Sequence, residues 1–151
     1  MNVPSSSNCH PAHILLIDDN RIGLSARKAV LEELGYQITT VASAHDGLKR
    51  LAETEFALII TDYKMPRMNG IQFIERIRQQ APTPPVILLS GFADALGLDE
   101  KNTGADVVIQ KSANEVAHMV RAVKKLLRKR AAKKPPGVQQ TSQPRAQRSS
   151  G

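Results

Sequence analysis

Five side chains of this sequence stand where short aliphatic runs stop. Asp18 and Asp19 follow Ile14-Leu15-Leu16-Ile17, and Asp62 follows FALIIT. Ser90 follows Val86–Leu89, and Lys111 closes the run Val107-Val108-Ile109 after one intervening residue. Three carboxylates gathered in one place repel one another, so one must take up a proton or a cation must join them. A hard dication such as Mg²⁺ resolves the conflict. It takes oxygen ligands in an octahedron, keeps some waters, and is commonly held by one or two carboxylates together with phosphate oxygens. Lys111 supplies a point charge and Ser90 a hydroxyl donor, both suited to a phosphoryl group. Gly91 leaves its backbone N–H accessible beside them. An Asp carboxylate is also an established nucleophile that forms an acyl phosphate. Taken singly, each residue has a plainer role: an Asp after a strand caps a turn, a lone Lys is surface, a lone Ser starts a loop. The argument rests on the five together.

Whether they meet depends on the elements that carry them. Ile14–Ile17 predicts a buried strand. A helix follows to Leu34, with Ala26, Val30 and Leu34 in line, flanked by Leu24 and Leu31, and with Gly35 as its stop. Gln37–Val41 predicts a β-branched edge strand. Ser43 can cap a helix through about Glu53. Phe56–Thr61 predicts a second buried strand, and Asn69-Gly70 opens a helix through about Gln79 with Ile71, Ile74 and Ile77 inward. Pro82, Pro84 and Pro85 break the chain before the strand Val86–Leu89. Residues 94–103 predict a weak helix, with Gly97 inside it. Val107–Ile109 is the last strand, and Asn114 can cap a last helix with Val116, Val120, Val123 and Leu127 on one stripe. Five βα units with near-continuous aliphatic strands imply an α/β fold with a parallel sheet covered on both faces. Ligands of such sheets bind at the carboxyl ends of the strands, where all five side chains would lie.

The 151 residues suffice for one domain with a proper core. Aromatics make up 3% and Trp is absent, so that core must be aliphatic. The domain is expected over residues 12–130. Residues 1–11 are polar with two prolines, and 131–151 are basic and rich in Pro, Gln and Ser; both are expected to be disordered. The net charge of +7 is an average of unlike parts. Residues 1–115 carry 11 Lys/Arg and 14 Asp/Glu, whereas residues 116–151 carry 10 Lys/Arg and no acid. A basic end can attract nucleic acid or an anionic surface, but charge runs are usually only solvated. The longest apolar runs are too short to span a bilayer. With no secretory h-region and a lone cysteine, Cys9, a reducing cytoplasm is the expected compartment.

The segments ILLIDDN, LIITDYKMPRMNG, VILLSG and GADVVIQK resemble, in order and spacing, the receiver domains of two-component response regulators. DYKMPRMNG is the most specific of them. The resemblance covers about residues 12–130 and implies a flavodoxin-like (βα)5 fold with strand order 2-1-3-4-5. It implies Asp62 as phosphoacceptor, Asp19 and Asp62 as Mg²⁺ ligands with Asp18 acting through water, and the Lys64 backbone carbonyl as a further ligand. Ser90, Gly91 and Lys111 would face the phosphoryl group, with Lys111 neutralising charge only once that group arrives. The donor would be a phosphohistidine on a histidine kinase or a histidine phosphotransfer protein. The chain departs from the family pattern at two places. Val107-Val108-Ile109 stands where a Tyr or Phe is usual, and Ser112 follows the Lys in place of Pro, so the Lys111–Ser112 bond is expected to be trans. Phe92 and Val108 are therefore candidate modulators, and output is expected to depend on ordering of residues 92–103.

Other classes fit less well. A haloacid-dehalogenase-like phosphatase would show Asp-x-Asp after its first strand. A flavodoxin proper needs a Ser/Thr/Gly phosphate loop there. A pseudo-receiver, a phosphorylation-independent binding module, normally lacks one of the acids; it is the alternative. No apolar periodicity after Leu127 builds a helix-turn-helix, so direct DNA binding is not expected. The expected form is a single-domain response regulator, autocatalysing only its own phosphorylation and dephosphorylation, with an output protein that the sequence does not name. Cys9, His10 and His13 match no zinc spacing.

Overall fold

The structure, a computed structural model, describes residues 11–80, 82–91 and 93–133. Five strands alternate with helices: β1 (His13–Ile17), α1 (Arg21–Glu33), β2 (Gln37–Val41), α2 (Ala44–Glu53), β3 (Leu58–Asp62), α3 (Gly70–Arg78), β4 (Val86–Ser90), α4 (Ala93–Leu96), α5 (Glu100–Thr103), β5 (Val107–Gln110) and α6 (Glu115–Lys133). All strand pairs are parallel and the order is β2-β1-β3-β4-β5. The flavodoxin-like expectation is met, with β2 at an edge as its pattern predicted.

Strand side chains alternate between the two faces of the sheet, and the core divides accordingly. Ile14, Leu16, Leu58, Ile60, Ile87 and Leu89 pack on one face with Leu24 and Leu31 of α1 and Met119, Val123 and Leu126 of α6. Leu15, Ile17, Ile59, Val86 and Leu88 pack on the other with Ala44 of α2 and Phe73, Ile74 and Ile77 of α3. Each fully buried aliphatic side chain contributes about 1.5–3 kcal/mol relative to exposure. Burial on both faces explains why these strands read as unbroken aliphatic runs rather than alternating ones.

Three local expectations are corrected. The inner stripe of α1 is Leu24, Arg27 and Leu31, whereas Leu34 is 44% exposed. In α6 the buried positions are Met119, Ala122, Val123 and Leu126, and Val116 faces out. The weak helix over 94–103 is two short ones: Gly97 turns the chain at a φ of +65°, and Asp99 caps α5 through the Lys101 and Asn102 amides. The last helix runs to Lys133, and its Arg130 guanidinium donates to the Phe56 and Ala57 carbonyls. Residues 1–10, Ala81, Phe92 and residues 134–151 lie outside the described residues, and with them the expectations placed there. No helix among the described residues is long and apolar enough to cross a membrane.

Candidate functional site

The pairing register places Ile17 opposite Thr61, and Asp62 opposite Leu89. Asp18 and Asp62 therefore leave adjacent strands side by side. Asp18 is held in line by its N–H, which donates to the Val41 carbonyl at 3.2 Å. The chain then turns sharply, because Asn20 caps α1 through the Gly23 amide at 3.1 Å. That turn leaves Asp19 exposed beside the two buried acids. One oxygen from each of Asp18, Asp19 and Asp62 lies within 4.8 Å of the others.

That spacing fits a small dication. Opposite corners of a Mg²⁺ octahedron are about 4.2 Å apart, and an all-oxygen donor set suits its hardness. Asp18, Asp19, Asp62, Lys64, Gly91 and Lys111 line one cleft of about 490 Å³ at the carboxyl edge of the sheet, together with Met65 and Pro66. Ser90, the last residue of β4, is 1% exposed and does not line it. Its carbonyl accepts the Lys111 N–H at 2.8 Å.

Asp62 already has a cationic partner. Lys111 Nζ is 2.5 Å from its Oδ1, so the expectation that Lys111 waits for a phosphoryl group is corrected: it neutralises the acid beforehand. Burial raises the Asp62 carboxyl above its ordinary value, the Lys111 hydrogen bond opposes that rise, and the charge on Asp18 adds to it. The Lys111–Ser112 bond is trans, as expected. The segment after Asp62 is fixed by backbone contact. Gly70 donates its N–H to the Tyr63 carbonyl at 2.7 Å, and a Cβ at Gly70 would stand 2.5 Å from the Asp62 carbonyl oxygen. Only glycine tolerates that approach.

Val108 is half-buried, and its N–H donates to Glu100 Oε2 of α5 at 2.8 Å. Gln110 bridges the end of β5 to the segment after Ser90. It donates to the Gly91 carbonyl and accepts from the Asp94 N–H, both at 2.9 Å.

The sequence reading missed Arg27 and Glu115. Arg27 is 6% exposed, with Nη1 at 2.6 Å from Asp18 Oδ2 and Nε at 2.6 Å from Glu115 Oε2. Burial would lower its pKa, but the hydrogen bonds to Glu115 and Asp18 outweigh it and raise the value. The available signal was a charged residue at i+3 from Leu24 and i−4 from Leu31, in the middle of an apolar stripe.

The model of the family described as "Response regulator receiver domain" matches residues 14–124. The chain belongs to the response-regulator receiver family. A curated relative, the response regulator receiver protein CpdR of Brucella abortus, is 28% identical over 114 residues, which are 76% of this chain and 94% of that protein. The transcriptional regulatory protein GlrR of Escherichia coli is 36% identical over 80 residues, 53% of this chain. The match spans only 18% of that regulator's length. Among solved receivers, the response regulator TrrA of Thermotoga maritima in complex with Mg²⁺ and BeF is 30% identical. It has a TM-score of 0.69 over 76% of this chain and 98% of that one. A CheY-like receiver from Methanospirillum hungatei is 28% identical, with a TM-score of 0.73 over 82% and 98%. The acidic cleft of this receiver is thus a pocket that fits Mg²⁺, in a fold used as a signalling switch.

Proposed function

We propose that this receiver accepts a phosphoryl group on Asp62 in a Mg²⁺-dependent reaction and signals by the conformational change that follows. The supporting observation is the carboxylate triad of Asp18, Asp19 and Asp62 within 4.8 Å, with Lys111 Nζ already seated on Asp62. Asp19, Asp62 and the Lys64 carbonyl would hold the metal, with Asp18 acting through water. The metal would neutralise phosphoryl oxygens as charge shifts in the reaction. A carboxylate oxygen of Asp62 attacks phosphorus as the bond to the donor breaks, a step that needs positioning and charge neutralisation more than covalent help. Lys111 moves from Asp62 to the new phosphoryl group, and Ser90 and Gly91 donate to it. The domain over residues 12–130 works in the cytoplasm, takes its phosphoryl group from a phosphohistidine on a kinase or phosphotransfer protein, and passes its state to an output protein rather than to DNA.

The test is labelling by acetyl phosphate. Incorporation should require Mg²⁺, vanish in Asp62→Asn and fall steeply in Asp19→Asn. Label that persists at wild-type level in Asp62→Asn excludes Asp62 as acceptor.

A further inference from the structure

Arg27 places a charged group in a core position, and its two partners belong to different elements. Asp18 follows β1; Glu115 opens α6. The Asp18, Arg27 and Glu115 side chains are 1%, 7% and 14% exposed. A Cβ at Gly23 would stand 3.1 Å from Arg27 Nη1, so the glycine leaves room for the guanidinium. We propose that Arg27 is a positioning residue that links cation binding in the acidic cleft to the first turn of α6, through Asp18 on one side and Glu115 on the other. The proposal rests on the metal-site reading above.

Both oxygens of Asp18 are engaged, Oδ1 by the Asn20 N–H at 2.9 Å and Oδ2 by Arg27. A dication that draws on Asp18 therefore competes with Arg27 for it. The guanidinium is a planar fork whose donors move together, so a looser hold on Asp18 changes the hold on Glu115. Glu115 is also four residues from Lys111, the partner of Asp62. The exposed segment Ser112-Ala113-Asn114 is thus pinned at both ends to the two buried aspartates. Occupying the cleft bears on both pins at once. Linkage is reciprocal: if the cleft alters the Arg27–Glu115 contact, altering that contact must alter cation affinity.

The test is a double-mutant cycle on the unphosphorylated full chain, with Mg²⁺ affinity read by calorimetry and the amides of residues 112–119 followed by NMR. In Glu115→Gln the negative charge opposing Asp18 is gone, Arg27 is drawn more strongly to Asp18, and Mg²⁺ affinity should fall about fivefold. In the Arg27→Met background the same substitution should change affinity by less than about twofold. Mg²⁺-induced shifts at 112–119 should shrink in Glu115→Gln while those at Asp19 persist. Arg27→Met leaves Asp18 buried without its partner and could unfold the domain. In that event Arg27→Lys takes its place, since one ammonium cannot hold both acids in the same fork, and the effect of Glu115→Gln should shrink there too. An equal effect of Glu115→Gln in both backgrounds overturns the linkage and leaves only a long-range field. So does a wild type that binds Mg²⁺ without shifts at 112–119. A wild type that binds no Mg²⁺ overturns the metal reading itself, and the linkage with it.

Discussion

Burial of the Asp62 carboxylate costs stability that its ion pair with Lys111 only partly offsets. The carboxyl is raised by burial, against the pull of Lys111, above its ordinary value near 3.8. The folded state therefore binds this proton more tightly than the unfolded chain does. The stability it contributes is complete below that ordinary value and is lost as the pH rises through the raised one. Asp62→Asn removes the charge and keeps the shape. Without Mg²⁺, it should stabilise the receiver by about 1 kcal/mol at neutral pH, and the gain should shrink as the wild-type acid takes up its proton. Thermal melts at neutral and acidic pH read this directly; no gain at neutral pH would show that Lys111 fully offsets the burial. At this scale the sequence was legible at the strand ends except at Ser90, which is buried and does not line the cleft. Asp18, Asp19, Asp62, Lys64, Gly91 and Lys111 do share one cleft, because a parallel sheet forces strand ends to one edge. Arg27 was marked only by its place between Leu24 and Leu31, and its role was not legible. Its partner Glu115 is 88 residues away in the chain, and no local pattern announces such a pair.

The strands and their order follow from aliphatic runs separated by helices, but the faces of α1 and α6 did not follow from periodicity alone. Counting only apolar residues in α1 favours Ala26, Val30 and Leu34, since it discards Arg27; the buried row is Leu24, Arg27 and Leu31. Leu31 is fully buried and Leu34 is 44% exposed. Leu31→Ala should therefore cost about 2–5 kcal/mol, and Leu34→Ala about 0.5 or less, in urea midpoints. Equal costs would restore the apolar stripe. The region after β4 was read as one loose helix, yet it carries its own fixings. Gly97 breaks it, Asp99 restarts it, and Gln110 fastens its beginning to β5. Removing the Gln110 clamp by Gln110→Ala should speed amide exchange at Asp94 about fivefold, the equivalent of one hydrogen bond, with little change within β5. Unchanged exchange at Asp94 would mean that the loop is held by other contacts.

Charge in the whole chain is sorted along its length, with acids confined to the first 115 residues. The acidic cleft and the basic end therefore belong to different stretches. Phosphorylation should not need the latter: cutting the chain after Lys134 should leave labelling by acetyl phosphate and the melting temperature unchanged. A drop in either would assign the basic stretch a part in the switch. The path of α6 has a further consequence. It starts at Glu115, beside the cleft, and reaches the opposite rim, where Arg130 grips the carbonyls just ahead of β3. Nineteen helical residues span about 28 Å. The last described residue of that helix, Lys133, thus lies toward the rim opposite Asp62. A fluorescent protein, an affinity handle or a surface tether joined there would present the receiver with its cleft facing outward, open to an approaching donor.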